Sequence, residues 1–68
     1  MSMRRLDNKE RKHVRSMVGA MLARGEHKDD VIHQARGWLI GTRGWAPLAA
    51  EFRAREAVVL ELARKTSA

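Results

Sequence analysis

The chain contains no cysteine and no tyrosine, and only one proline and one phenylalanine. Without cysteine there is no disulfide, no thiolate ligand for zinc and no thiol redox chemistry, and this absence fits a reducing compartment. The amino terminus reaches charged residues almost at once, without the apolar run that a signal peptide or a membrane span requires. We therefore expect a cytoplasmic protein that does not contact a membrane.

Sixty-eight residues form one domain close to the lower size limit at which a single hydrophobic core is sufficient. Chains of this size usually gain stability from a metal, a disulfide, a partner or very regular helix packing. We expect a single small basic helical domain over residues 1–68, with a flexible segment at residues 1–6.

Residues that could form a catalytic or metal site are sparse. No nucleophile stands beside a base, no carboxylate pair marks a pocket, and the glycines lack the context of a phosphate-binding loop. The histidines at 13, 27 and 33 are not spaced to complete a metal site with Asp29 and Asp30. The sequence therefore predicts no enzyme activity, no metal and no cofactor.

The charge is distributed unevenly along the chain. Its formal net value is +6, and residues 1–28 set eight Lys and Arg against three Asp and Glu, whereas residues 29–68 set six against five. A field of one sign on one helix attracts polyanions such as nucleic acid, or an acidic protein face. A solvated helix that binds nothing can have the same composition, so both interpretations stay open.

The first helix is predicted over about residues 8–24. Asp7 is a good N-cap, Glu10 completes a capping box, and Gly25 is placed to end the helix in the left-handed conformation. An apolar row at helical spacing faces the core and consists of Val14, Met17, Val18, Met21 and Leu22. The opposite face carries Lys9, Lys12 and Arg15, with Arg11 at its margin.

The second helix is predicted over about residues 30–40, with Asp29 or Asp30 as its cap and Gly41 as its end. Its core side is expected to consist of Val31, Ile32, Ala35, Trp38 and Leu39. A turn over residues 42–46 then leads to the third helix.

The third helix is predicted over about residues 47–65, because Pro47 suits a first helical turn. Two acid-to-base pairs at i, i+4 spacing, Glu51 with Arg55 and Glu61 with Lys65, are expected to support it. Its core side is predicted to consist of Leu48, Phe52, Arg55, Val59, Leu62 and Ala63, flanked by Val58 and Leu60. Because this arc is wider than two small helices can cover, a homodimer through the third helix is an open alternative.

The triplet Arg-Gly-Trp occurs twice, at residues 36–38 and 43–45. Helical phase places the first copy on the second helix, with Trp38 facing the core. The second copy falls in the turn, where Trp45 either seals the end of the bundle or stands exposed. Since arginine and aromatic anchors dominate protein interfaces, Arg43 and Trp45 are the candidate partner-binding pair.

Two short segments of the chain are Glu10-Arg11-Lys12-His13-Val14-Arg15 and Trp38-Leu39-Ile40-Gly41-Thr42-Arg43. At scattered positions they resemble parts of the small basic ribosome modulation factors of bacteria. The resemblance covers about a dozen residues, the length between the segments differs, and the long third helix departs from that family's pattern. It implies that ribosomal RNA belongs among the candidate polyanions.

These patterns predict an all-α, compact three-helix bundle that acts as a small nucleic-acid-binding accessory or regulatory protein. The first helix would contact the phosphate backbone of DNA or RNA, or an acidic protein surface. The candidate contact residues are Arg4, Arg5, Lys9, Arg11, Lys12, Arg15, Arg36 and Arg43. The alternative is a protein-binding modulator, such as a phage- or plasmid-like inhibitor or adaptor, that docks a helix face or the Trp45 turn onto its partner.

Overall fold

Three α-helices follow one another in the computed structural model, which describes residues 3–67 and their side chains as far as residue 66. They are α1 (Asn8–Ala23), α2 (Lys28–Arg43) and α3 (Pro47–Ser67). Each helix contacts both others, and the bundle measures 34 × 21 × 19 Å. The all-α, three-helix architecture predicted from the sequence is confirmed.

Both ends of α1 follow from local sequence signals. The carboxylate of Asp7 accepts the backbone N–H of Glu10 at 2.7 Å, and the Glu10 carboxylate accepts the backbone N–H of Asp7 at 3.0 Å. Gly25, just beyond the C-cap, has a φ of 84°. The predicted capping box and the predicted left-handed residue are therefore both present.

Helix α2 is longer at each end than the sequence suggested. His27 is its N-cap, with Nδ1 accepting the backbone N–H of Asp29 at 3.1 Å, and Gly41 lies inside the helix. The left-handed C-cap is Gly44, with a φ of 68°, and the N–H of Trp45 then reaches the carbonyl of Leu39 at 3.1 Å. A helical glycine costs only about 1 kcal/mol against alanine. The burial of Leu39 and Trp45 on either side of Gly41 outweighs this cost.

The core side predicted for α3 is wrong. Ala50 and Ala54 are fully buried and Val58 is 1% exposed, whereas Leu48 is 82% and Val59 59% exposed. Small side chains let the backbone of α3 come close to α1 and α2, so its alanine face fills the narrow space between the helices. The large apolar residues consequently remain outside. We call the exposed set Leu48, Phe52, Val59 and Leu62 the α3 stripe.

The two ion pairs predicted along α3 are also absent among the described residues. Glu51 lies 4.0 Å from Nε of Arg36 on α2, and Glu61 lies 3.7 Å from Arg64. Arg55, predicted on the core side, is exposed. Glu51 and Glu61 therefore lie close to Arg36 and Arg64, and not to the cations four residues further along α3.

The core lies where the three helices meet. Its α1 and α2 contributions follow the predicted apolar faces, although Trp38 is only half-buried at the edge. The buried apolar residues are Val14, Val18, Val31, Ile32, Ala35, Leu39, Trp45, Ala50, Ala54 and Val58.

Candidate nucleic-acid interface

Three of the cations predicted as contact residues are engaged with acidic or aromatic groups of the bundle. Arg43 pairs with Asp7 and Glu10, both at 3.0 Å, and Arg36 lies 4.0 Å from Glu51. The guanidinium of Arg4 lies 4.3 Å from the centre of the Trp45 ring. These three side chains therefore make contacts within the bundle.

Four other predicted cations form no ion pair within the described residues. Within residues 3–67, no carboxylate lies in ion-pair distance of their side chains, and all four are exposed. They are Arg5, Lys9, Lys12 and Arg15. Arg11 lies beside them, with one weak hydrogen bond at 3.4 Å from its guanidinium to the carbonyl of Leu6. We call Arg5, Lys9, Lys12 and Arg15 the cationic face.

The cationic face is uncompensated because both acids near the start of α1 point elsewhere. Asp7 and Glu10 turn toward the α2–α3 turn, where they meet Arg43 and Trp45. Lys9 and Lys12 are three residues apart, which places their Cβ atoms about 5–6 Å from each other on one side of the helix. The result is a row of ammonium and guanidinium groups with no acid between them.

Beneath the amino-terminal end of α1 lies a buried ionic cluster centred on Glu10, which is 1% exposed. One carboxylate oxygen accepts the backbone N–H of Asp7. The other accepts Nε of Arg43 at 3.0 Å and the indole N–H of Trp45 at 2.9 Å, and Arg4 adds a charge at 3.7 Å. We call Asp7, Glu10, Arg43 and Trp45 the Glu10 cluster.

The cluster holds the Glu10 carboxylate in its charged form. Burial raises the pKa of Glu10, but the Asp7 backbone N–H, the Trp45 indole and Arg43 together lower it by more, so that it falls from 4.5 to about 2. The hydrogen bond to Glu10 in turn raises the pKa of Arg43 above its ordinary value. These hydrogen bonds and charge pairs link the start of α1 to the end of α2.

The candidate partner-binding pair, Arg43 and Trp45, lies inside this cluster. Trp45 is only 2% exposed, so its indole has no surface to offer a partner. Of the two outcomes that the sequence left open for Trp45, sealing the end of the bundle is the observed one. No local pattern predicts this placement, because Glu10 and Trp45 lie 35 residues apart along the chain.

Arg53 and Arg64 of α3 were not among the predicted site residues, yet both border a groove between α1 and α3. The groove encloses about 140 Å³ and is otherwise lined by apolar and charged side chains of both helices, including Arg11, Arg15 and Glu61. Arg53 donates to the carbonyl of Arg4 at 2.8 Å and to Glu56 at 3.1 Å. Because these cations alternate with acids, the groove extends the cationic face only weakly.

The segment before α1 is held against the bundle over residues 3–6. Arg53 binds carbonyls of this segment, and Leu6 packs against the core. Residues 1 and 2, which belong to the segment expected to be flexible, lie outside the described residues.

Residues 3–67 contain a further aromatic contact. His13 stacks on Trp38 with ring centres 4.0 Å apart, which covers one face of the tryptophan. In that part of the chain no group of three or more His, Asp or Glu side chains converges to hold a metal ion. None of its helices combines the length and the apolar character needed to cross a membrane.

Comparison with protein-family models, with curated proteins and with solved structures found no match to this chain. The geometry of the chain itself therefore carries the functional argument.

Proposed function

We propose that this protein binds the phosphate backbone of DNA or RNA through the cationic face of α1, as a small accessory or regulatory protein. The observation that carries the proposal is that Arg5, Lys9, Lys12 and Arg15 are exposed and have no carboxylate partner within the described residues, whereas Asp7 and Glu10 pair with Arg43. Backbone contacts of this kind position a protein on nucleic acid without reading sequence.

The charge arrangement supports binding to a backbone rather than to base edges. The cationic face offers Lys and Arg side chains but no Asn or Gln beside them except Asn8 at the first turn. Adenine is read through Asn or Gln, and guanine through a bidentate Arg held in a groove. Affinity is therefore expected to depend on salt and charge and to differ little between sequences of equal length.

A titration of the full chain with a labelled mixed-sequence duplex and a labelled single-stranded RNA tests this proposal. If four phosphates are neutralised on duplex DNA, log K is expected to fall with log salt with a slope of roughly −3 to −4. The double variant Lys12→Glu/Arg15→Glu is expected to abolish binding. The matched control is Arg24→Glu/Lys28→Glu, which changes the net charge equally at the connection between α1 and α2 and should retain measurable affinity.

Two results would overturn the proposal: no binding to either probe at low salt, or equal losses in the two double variants. The second result would mean that net charge alone drives a non-specific association. Retained binding to RNA with none to DNA, or the reverse, would identify the polymer.

A protein-binding modulator remains the second candidate, and the observation that favours it is the exposed α3 stripe. Large contiguous apolar patches are rare on monomers and usually mark interaction sites. In this version of the alternative the helix face docks, since Trp45 is buried. A partner that is retained after nuclease treatment, and that binds as a purified protein to the wild-type chain but not to Val59→Asp, would support this candidate over the first.

A further inference from the structure

The α3 stripe belongs to a longer row of exposed residues with coiled-coil spacing. Six positions alternate steps of four and three residues along α3, and all six are exposed. They are Leu48, Phe52, Arg55, Val59, Leu62 and Thr66. Steps of this pattern keep one seam facing a second helix over a long distance.

The seam lies on a different side of α3 from the residues that α1 and α2 bury. Ala50, Ala54 and Val58 fill the bundle interior, and none of them belongs to the seam. Helix α3 has 21 residues, or about 31 Å of length, which is close to the longest dimension of the molecule. A second helix can therefore lie along the whole seam without disturbing the bundle.

We propose that the seam binds the seam of a second copy of this chain, with the two α3 helices antiparallel. In this pairing Phe52 lies opposite Leu62 of the second copy, Leu48 opposite Thr66, and Arg55 opposite Val59. Each apolar side chain of the α3 stripe is then covered at least in part by its counterpart.

Charge complementarity selects the second copy and the antiparallel direction. Of the four cations on α3, Arg53 and Arg64 have acid partners, whereas Arg55 and Lys65 have none within the described residues. In the antiparallel pairing Glu51 flanks Lys65 of the second copy. Arg55 comes within one helical turn of Glu56 of the second copy, about 4.5 Å along the axis. The two Glu56 side chains approach each other near the twofold axis, and Arg53 and Arg55 of both copies offset their charge. The two unpaired cations are thus the two that the dimer supplies with acids.

The parallel arrangement in register brings like charges together. Arg55 would face Arg55 of the second copy in the seam, and Glu51 would flank Glu56 across the interface. Both contacts are repulsive, so the same sequence that supports the antiparallel dimer opposes the parallel one.

Sedimentation of the full chain over a wide concentration range tests the proposal, with two adjacent residues as a matched pair. Val59 is 59% exposed and lies in the seam, while Leu60 is 57% exposed and lies outside it, beside the α1–α3 groove. We expect Val59→Asp to weaken dimerisation by at least about 100-fold, because a carboxylate is buried in an apolar contact. Leu60→Asp should change it by no more than about threefold.

The direction of the helices can be read by cross-linking, because the natural chain has no cysteine. Leu48→Cys and Thr66→Cys are prepared separately, mixed and oxidised. The antiparallel dimer yields a disulfide in the mixture and little in either variant alone, since only the mixed pair comes within disulfide distance. Cross-linking also works if Val59→Asp fails to fold.

A monomer at every concentration would overturn the proposal, and so would equal effects of the two aspartate variants. Efficient self-cross-linking of each single variant would show a parallel dimer and overturn the direction. A chain that stays monomeric while its stripe binds a different purified protein would assign the seam to that partner. The proposal does not rest on nucleic-acid binding, since no seam residue belongs to the cationic face.

Discussion

The Glu10 cluster and the α3 stripe are opposite in their relation to solvent. The cluster buries a carboxylate to 1% exposure, while the stripe leaves Leu48 82% exposed. Residue polarity alone would predict the reverse in both places. The difference shows that the available contacts determine which side chains are buried. The Glu10 carboxylate contacts the Asp7 N–H, Arg43, Trp45 and Arg4, whereas Leu48 has no packing partner within the described bundle.

The same contrast explains how a chain of 68 residues holds three helices together. Seven of the ten buried apolar residues are valines and alanines, which provide little apolar area per residue, and the other three are Ile32, Leu39 and Trp45. The Glu10 cluster adds a directional link between α1 and the end of α2. The large side chains of α3 contribute little inside the bundle and remain available for another surface.

Substitution of Glu10 is expected to have the largest effect on stability. Glu10→Ala leaves the buried indole N–H of Trp45 without its acceptor and removes one of the two carboxylates that Arg43 binds, so we expect a loss of about 2–4 kcal/mol in the free energy of unfolding. Urea denaturation followed by circular dichroism measures it. Glu26→Ala, which removes only a surface pair with Arg24, should cost less than about 1 kcal/mol. Similar losses of stability in both variants would show that the Glu10 cluster contributes no more than a surface ion pair.

The acid limb of the stability profile tests the charge state of the same residue. Because the pKa of Glu10 is about 2 in the folded chain and 4.5 in its ordinary state, the unfolded chain binds more protons between these values. The contribution of Glu10 is therefore complete above pH 4.5 and is lost as the pH falls toward 2. Urea denaturation of wild type and Glu10→Gln at several pH values should show a shallower acid loss in the variant. Parallel profiles would contradict the assignment.

Enlarging a side chain on the alanine face of α3 is expected to cause the next largest loss of stability. Ala54 is fully buried, and Ala54→Leu forces extra volume between the helices, so we expect a loss of about 1–3 kcal/mol. Ala20→Leu, on the exposed side of α1, is the control and should stay within about 0.5 kcal/mol. If Ala54→Leu were neutral in thermal and urea denaturation, the helices would not be as close as the alanine face indicates.

The glycines of the two Arg-Gly-Trp triplets, Gly37 and Gly44, give the smallest effects, with opposite signs. Gly44 has a φ of 68°, and Gly44→Ala should destabilise the fold by about 1 kcal/mol because alanine resists the left-handed conformation. Gly37 lies inside α2 with no atom within 4 Å of an added Cβ. Gly37→Ala should therefore stabilise by up to about 1 kcal/mol. The shift in the thermal midpoint measures both, and shifts of the same sign would contradict the placement of the α2 end.

Sequence reasoning succeeded where the signal is local. The capping box of Asp7 and Glu10 and the turn at Gly25 involve residues a few positions apart, and both were predicted. The end of α2 was missed, because its continuation past Gly41 depends on tertiary burial of Leu39 and Trp45. Local propensity cannot report that burial.

The face of α3 and the role of Glu10 were missed for two different reasons. On α3, periodicity identified the large apolar residues correctly but assigned them to the core, since it could not show that alanines make the closer contact. For Glu10, the decisive partners lie 33 and 35 residues away, beyond any local pattern. Lys9, Lys12 and Arg15 lie exposed on α1, on the face that helical periodicity indicated. Arg4, Arg36 and Arg43 instead contact acids or the Trp45 ring of the same chain.

The Glu10 cluster also has a consequence for the choice among alternative packings during folding. Because most of the buried apolar side chains are valines and alanines of similar size, apolar packing alone distinguishes weakly between arrangements that differ by one helical turn. Such a shift in α2 against α1 would carry Arg43 and Trp45 away from Glu10 and leave a charge buried without a partner. The cluster therefore selects one register of α2 against α1. Only the packing that brings Arg43 and Trp45 to the Glu10 carboxylate avoids the cost of an unpaired buried charge.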